Sequence, residues 1–128
     1  MDEGRWHDAL RLFEQSLAVR RQGDDLNARA DTIYQIARTH HLLGNLDKAR
    51  IHYRDAMRLY QRIKNTQGIA ASKTALGRLM IQLGFVDDAL RELEAANEIY
   101  HQMSDERRIA EVKQVLEVAH HIKEGLPA

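Results

Sequence analysis

The stretch Gly-Asn-Leu-Asp-Lys-Ala at residues 44–49 decides the fold, because a related stretch stands forty residues away on each side. Residues 84–89 read Gly-Phe-Val-Asp-Asp-Ala, and residues 4–9 read Gly-Arg-Trp-His-Asp-Ala. Each copy begins with glycine and ends, five positions later, with alanine. Self-similarity at a fixed period of about 20–50 residues is typical of repeat proteins. The chain is therefore predicted to be an array of forty-residue repeats.

The residues between these copies have the spacing of amphipathic helices. Apolar side chains recur three and four positions apart, as Ile33, Ile36 and Ala37 do in the first long segment. The only proline is Pro127, so nothing interrupts a helix within the repeats. The sequence predicts an all-α fold of about six helices.

Capping residues recur in step with the repeat. Asp25, Asn65 and Asp105 lie forty residues apart, and each is a residue type that accepts a hydrogen bond from a free N–H of the first helical turn. Gly44 and Gly84 follow two of the apolar segments, where glycine adopts the left-handed conformation that closes a helix. These residues predict where helices begin and end.

The predicted organisation is a single domain over residues 1–128. The second helix of a truncated repeat is predicted at residues 5–22. Two full helix pairs follow at residues 26–63 and 66–103, and a C-terminal capping helix follows at residues 106–123. The last helix has Glu117 where the two earlier copies have the small residues Ala37 and Gly77. A bulky charged residue there disfavours close packing of another helix, which suits a terminal cap.

The overall composition excludes several classes of function. The chain has 128 residues with 19 basic and 19 acidic side chains, so net charge predicts neither a nucleic acid nor an anionic membrane as partner. It has no cysteine, which excludes disulfides and thiol chemistry and suits a cytoplasmic protein. No apolar run approaches the roughly 18 residues that a membrane span requires.

The repeat pattern resembles that of the tetratricopeptide repeat family over residues 4–123. The resemblance rests on small residues where paired helices cross, on apolar residues after the turn glycine, and on small residues seven positions after the turn alanine. These are Ala37 and Gly77; Trp6, Leu46 and Val86; and Ser16, Ala56 and Ala96. The forty-residue period and the missing repeat-closing proline are similar to the longer repeats of kinesin light chains and many bacterial regulators.

This resemblance implies a right-handed superhelix of antiparallel helix pairs, in which the first helix of each pair lines a concave groove. It places Tyr34, Gln35, Arg38, His41, Thr74, Arg78, Gln82 and Gln114 in that groove. Arg38 and Arg78 lie one period apart, and a guanidinium binds carboxylates through two hydrogen bonds. The implied function is non-catalytic binding of a peptide or partner helix with acidic groups. The alternative for the two arginines is that each pairs with an acid of its own array.

The remaining candidate sites favour structural interpretations. Arg50, Arg54, Arg58 and Arg62 form a row with i+4 spacing, but no aromatic residues accompany them and the row is absent from the next repeat, so a solvated face is favoured over a phosphate site. In each of the adjacent pairs His40–His41 and His120–His121, the two side chains point about 100° apart on the helix. Neither pair can therefore chelate a metal. No nucleophile–base arrangement is visible, so neither catalysis nor a cofactor is predicted.

The N-terminal segment offers a second kind of surface. No helix pairs with residues 5–22 from the preceding side, so the apolar residues Trp6, Leu10 and Phe13 are expected to be partly exposed. Self-association as a homodimer through this helix is one expectation, and folding of Trp6 against its own neighbours is the alternative. The chain as a whole is expected to be part of a longer array. A function without its own ligand, as a structural spacer or regulatory segment of a larger signalling or transcription regulator, is the second hypothesis.

Overall fold

The computed structural model describes residues 3–20 and 25–125, except for the side chains of residues 16–20. The described residues form six helices and no strand. The helices are α1 (Glu3–Arg20), α2 (Leu26–Leu42), α3 (Leu46–Arg62), α4 (Thr66–Leu83), α5 (Val86–Gln102) and α6 (Glu106–Lys123). The predicted all-α fold of six helices is thus confirmed. None of the described helices is long and apolar enough to cross a membrane.

Three of the helices begin at the predicted capping residues. The Asp25 carboxylate accepts a hydrogen bond from the Ala28 N–H at 3.0 Å, and Asp105 accepts one from the Arg108 N–H at 3.2 Å. The Asn65 side-chain oxygen accepts one from the Gly68 N–H at 2.9 Å. Because each bond satisfies a donor that has no partner within the helix, the capping prediction is confirmed at all three positions.

The four described turns between helices share one backbone arrangement. In each, a residue of positive φ follows the helix, and its N–H and the next N–H donate to carbonyls of the last helical turn. Gly44 and Gly84 have the predicted left-handed conformation, with φ of 82° and 88°. The other two turns place Lys64 (φ 58°) and Ser104 (φ 56°) in the same region. Residues other than glycine are strained in this region because their β-carbon lies too close to the backbone.

The chain divides into two compact units, Met1–Gly68 and Ile69–Ala128. In the first unit, α2 packs on both α1 and α3. The small residues Ala37 and Ala49 are completely buried, and the ring of Tyr53 is 2% exposed. Small residues at helix crossings let the helices approach closely. Ala49, the alanine of the repeated stretch, is therefore buried, as expected for a packing residue.

A polar network of the first unit joins α2 to α3 and to the start of α4. The Tyr60 hydroxyl donates a hydrogen bond to the Asp31 carboxylate, and burial together with this carboxylate raises the pKa of Tyr60. Asn65 donates to the side-chain oxygen of Asn27 at 2.7 Å. The Tyr60 ring also lies directly against Gly68, where a β-carbon would overlap it. Gly68 is therefore needed for packing.

In the second unit, residues of α4, α5 and α6 share one apolar cluster. Its buried members are Ala70, Leu90, Leu93, Ala96, Tyr100, Val112 and Ala119. A β-carbon at Gly77 would lie 2.5 Å from the Leu93 side chain, so the absence of a side chain there allows α4 and α5 to meet. Glu117 is exposed on α6, as expected for a capping helix.

Two details at the N-terminus differ from the prediction or cannot be compared with it. Gly4 does not form a turn before a helix but lies in the first turn of α1, since α1 begins at Glu3. The predicted end of this helix at residue 22 and the side chain of Ser16 lie outside the described residues. That both units belong to a single repeat domain stays a prediction.

Candidate functional site

In each helix pair, one side of the first helix packs against the second helix. The contacts of α4, the first helix of its pair, with α5 show which side this is. Lys73 Nζ lies 3.5 Å from a carboxylate oxygen of Glu92, and Gly77 packs against Leu93. Successive residues of a helix point about 100° apart, so Arg78 points away from this side. Arg78 and Gln82 are both exposed.

The α2 helix is arranged in the same way within the first unit. The buried ring of His40 stacks on His52 of α3, with ring centroids 5.3 Å apart. Arg38 and Leu42, the equivalents of Arg78 and Gln82, are exposed. We use the term open face for this pair of positions on each helix, which is Arg38 and Leu42 on α2, Arg78 and Gln82 on α4, and Val118 and Ile122 on α6.

The arginines of the open faces have no salt bridge with any residue that the structure describes, and the sequence explains why. No acidic residue stands three or four positions before or after Arg38 or Arg78. In contrast, Arg58 of α3 lies 3.6 Å from Asp55, three positions earlier, and Arg50 lies 3.7 Å from Asp47. These acidic partners are consistent with the solvated face that the sequence predicts for the row of arginines on α3.

Two of the predicted site residues on α2 are held by an aromatic cluster. The Tyr34 ring meets Tyr53 edge-on at a centroid distance of 5.5 Å, and His41 Nδ1 lies 3.4 Å from the Tyr53 hydroxyl. Both side chains are half-buried, as is that of Gln35. Tyr34 and His41 therefore help to fasten α2 to α3, and each retains a partly exposed surface beside Arg38.

The predicted residues of the second unit differ in how accessible their polar groups are. The Thr74 hydroxyl donates to the Ala70 carbonyl at 2.9 Å, so its proton is used within α4. Arg78 and Gln82 of α4 and Gln114 of α6 are exposed. The repeat pattern also assigns Val118 of α6 to the groove, and Val118 is 52% exposed. Sequence reasoning did not single out Ile122, which is 47% exposed on the same helix; its register, forty residues after Gln82, was the available signal.

The apolar residues predicted for self-association lie on α1. Trp6, Leu10 and Phe13 are half-buried, whereas Leu12, which the sequence analysis did not include, is 64% exposed. Ala9 and Phe13 are more exposed than their equivalents on α3, Ala49 and Tyr53, which are 0% and 2% exposed. The α1 helix therefore presents apolar surface that its repeat equivalent buries.

An open cleft of about 620 Å³ lies between α5 and α6. Charged side chains of both signs line it, and some of them pair with one another. Lys123 Nζ lies 3.0 Å from the Asp87 carboxylate, and Arg91 pairs with Asp88 of its own helix. Because the charges are mixed and partly neutralised, the cleft has no evident preference for one class of ligand.

Comparison with known proteins supports the same fold. A sequence model described as tetratricopeptide repeat matches residues 1–62. No curated protein sequence matches the chain. The crystal structure of BtubC (BKLC) from P. vanneervenii is similar with a TM-score of 0.86 and 21% sequence identity, over 94% of this chain and 50% of that chain. The chain thus spans about half the length of BtubC.

At this level of sequence identity, the similarity to BtubC concerns the fold. Repeats of this type are in general protein-interaction modules and typically non-catalytic. The sequence match and the shared fold agree with the forty-residue pattern of glycine and alanine. They confirm the predicted resemblance: the chain has the all-α helical-repeat fold of the tetratricopeptide repeat family.

Proposed function

We propose that the protein is a non-catalytic adaptor of the cytoplasm that binds a peptide or partner helix with acidic groups. The observation that carries the proposal is that Arg38 and Arg78 are exposed at the same register and form no salt bridge with any described residue. The alternative explanation, pairing within the array, finds no support among the described salt bridges. A guanidinium offers a carboxylate two parallel hydrogen bonds, which suits recognition of Asp, Glu or a chain terminus.

Tyr34, Gln35 and His41 flank Arg38, and Thr74, Gln82 and Gln114 complete the proposed binding residues. Their roles are to add apolar contact and polar selectivity around the two arginines. Tyr34 is suited to this role because an aromatic ring supplies a large contact area with few rotatable bonds. Tyr34 and His41 pack around Tyr53, which favours a pre-ordered binding surface.

Selection from a phage-displayed library of random 16-residue peptides tests the proposal. We expect the immobilised protein to select peptides that are enriched in Asp and Glu. The double variant Arg38→Glu with Arg78→Glu is expected to bind the selected peptides at least about tenfold more weakly, which corresponds to about 1.4 kcal/mol. Circular dichroism of the variant checks that it folds.

A matched control separates local contact from net charge. Arg54→Glu with Arg62→Glu makes the same change of charge at two exposed arginines of α3. Selected peptides should bind this control as they bind the wild type. Equal loss in both double variants would contradict recognition by Arg38 and Arg78, and selection of no peptide would favour the alternative of a spacer or regulatory segment without its own ligand.

We also propose that the chain self-associates as a homodimer through α1. The supporting observation is the exposure of Ala9, Phe13 and Leu12 compared with the buried positions of α3. Exposed apolar surface on a helix is a common basis of association. A second copy of α1 would cover these side chains with residues of the same kind.

A further inference from the structure

The charges of the cleft between α5 and α6 do not by themselves select a ligand, but its place in the repeat does. Three of its lining residues lie two repeats after three residues of the first unit: Asp87, Glu94 and His120 correspond to His7, Glu14 and His40. In the first unit, His7 and Glu14 of α1 lie close enough to His40 of α2 to interact with it electrostatically. The cleft is thus the counterpart, in the second unit, of the junction between α1 and α2.

In the first unit, a third helix fills this junction. His52 of α3 stacks on His40 with ring centroids 5.3 Å apart, and Lys48 of the same helix also interacts electrostatically with His40. His40 is therefore only 6% exposed, whereas its counterpart His120 is exposed. Within the described part of the second unit, no helix covers His120 in the way that α3 covers His40. We call the cleft, together with the side of α6 that adjoins it, the helix seat.

One residue of the helix seat disfavours a helix of the kind that the array itself uses. On α4, Gly77 faces Leu93 of α5, whose side chain lies 2.5 Å from where a β-carbon would stand. The equivalent residue of α6 is Glu117, which lies seven positions before Glu124 and therefore points to the same side of the helix. An apolar residue in the place of Leu93 would bury the Glu117 carboxylate without a partner, which is costly, whereas a lysine or arginine would pair with it.

The remaining charges of the helix seat also favour a cationic helix. Arg91 and Lys123 line the cleft, and each is already paired with an aspartate of α5. Glu94 and Glu124 line it as well, and neither forms a salt bridge with any residue that the structure describes. Two carboxylates are therefore available to a partner, and the cations of the cleft are not.

Lys113 is the exception and fixes a second position of the partner. It corresponds to Lys73 of α4, whose Nζ lies 3.5 Å from the carboxylate of Glu92 on α5. Glu92 directly precedes Leu93, the residue that faces Gly77. A helix that docks on α6 as α5 docks on α4 would therefore place an acid on Lys113 and its next residue on Glu117.

From these observations we infer that the helix seat of α5 and α6 binds a cationic partner helix in which an acidic residue is followed directly by a lysine or arginine. The partner helix would lie on α5 and α6 as α3 lies on α1 and α2. This site is separate from the proposed peptide-binding surface, because neither Arg38 nor Arg78 lines the cleft.

Two synthetic peptides with a fluorescein label test the inference. Both have the sequence of α3, residues 46–62, because this helix fills the corresponding junction of the first unit. The second peptide has His52→Glu with Tyr53→Lys, the positions equivalent to Glu92 and Leu93, and its net charge is that of the first with neutral histidine. In fluorescence anisotropy, the wild-type protein should bind the second peptide about tenfold more tightly than the first. Glu117→Ala, which introduces the residue type of Ala37, should reverse this preference.

A pair of double variants tests the charge of the cleft. Glu94→Lys with Glu124→Lys should weaken binding of the second peptide about tenfold. The control is Glu3→Lys with Glu111→Lys, which makes the same charge change at two exposed acids that do not line the cleft, and it should leave binding unchanged. Circular dichroism checks that each variant folds.

Three outcomes would overturn the inference: the same peptide preference in the wild type and in Glu117→Ala, equal loss of binding in the two double variants, or binding of neither peptide to either protein. A homodimer that Glu94→Lys with Glu124→Lys dissociates would also overturn it, because the helix seat would then belong to a second copy. None of these outcomes concerns the binding of acidic peptides at Arg38 and Arg78, so the proposed function is tested separately.

Discussion

At the scale of single residues, backbone conformation separates two kinds of turn in this chain. Gly44 and Gly84 adopt positive φ without a side chain, and Lys64 and Ser104 adopt it with one. Left-handed conformation costs a non-glycine residue about 1–2 kcal/mol, part of which is offset because glycine loses more chain entropy on folding. The two pairs of turns therefore differ in strain although their hydrogen bonds are alike.

Lys64→Gly and Ser104→Gly are expected to stabilise the protein. Each should raise the free energy of unfolding by about 0.5–1 kcal/mol, because the strain is removed and the turn hydrogen bonds are retained. Gly44→Ala and Gly84→Ala are the matched reversals and should lower the free energy of unfolding by a similar amount. A β-carbon at either position meets no atom within 4 Å, so backbone strain is the main expected effect. Urea unfolding measures all four variants; destabilisation by Lys64→Gly would contradict the assigned strain.

Gly77 provides a second prediction, which concerns packing. A β-carbon there would lie 2.5 Å from Leu93 Cγ, and Leu93 is itself completely buried and cannot move aside freely. Gly77→Ala is therefore expected to lower the free energy of unfolding by about 1–3 kcal/mol, although alanine is the better helix former. Gly4→Ala, the same change at an exposed residue of α1, should not destabilise. An equal effect of the two variants in thermal unfolding would exclude steric overlap as the cause.

At the scale of helices, the period of the sequence predicted the boundaries well and the contacts between helices less well. Asp25, Asn65 and Asp105 act as caps because their chemistry is local, and local chemistry recurs with the period. The sequence did not predict the left-handed conformation of Lys64, since lysine has no preference for it. It did not predict the contact of Tyr60 with Gly68 and Asp31 either, because that contact depends on how three helices meet.

The stacked pair of His40 and His52 connects α2 to α3 and is expected to make the stability of the first unit depend on pH. Burial, then the nearby charge of His52, then that of Lys48 lower the pKa of His40, while His7 also lowers it and Glu14 of α1 opposes them. Asn45 Nδ2 lies 3.3 Å from His40 Nδ1, where a neutral ring nitrogen accepts its hydrogen bond. Protonation of His40 would place a charge in this buried position.

The sign of the pH dependence follows from the lowered pKa of His40. The unfolded chain, in which histidine has a pKa of about 6.5, binds this proton more readily than the folded chain. The free energy of unfolding is therefore expected to fall as pH decreases from 7.5 to 5. His40→Met, which introduces the residue found at the equivalent Met80, should flatten this dependence. Urea unfolding at five pH values measures the slope, and an unchanged slope in His40→Met would show that other groups cause it.

At the scale of the whole molecule, the arrangement of small and large residues explains why the two ends of the chain differ. Glu117 makes α6 polar at the position where Ala37 and Gly77 make the earlier helices receptive to a partner helix. The α1 helix has the opposite character, because Ala9 and Phe13 retain the residue types of a buried crossing. α1 is therefore the helix that we expect to associate.

Light scattering coupled to size-exclusion chromatography tests the association of α1. We expect the molar mass of the wild type to rise from one copy towards two as concentration increases. Leu12→Lys should keep the protein monomeric, because Leu12 is 64% exposed and a lysine there would bring two like charges into the contact without disturbing the core. Ile51→Lys is the control, since Ile51 is 56% exposed on α3 and the same charge change there should leave the dimer intact. A wild type that stays monomeric at millimolar concentration would contradict self-association and favour the alternative, in which Trp6 folds against its own neighbours.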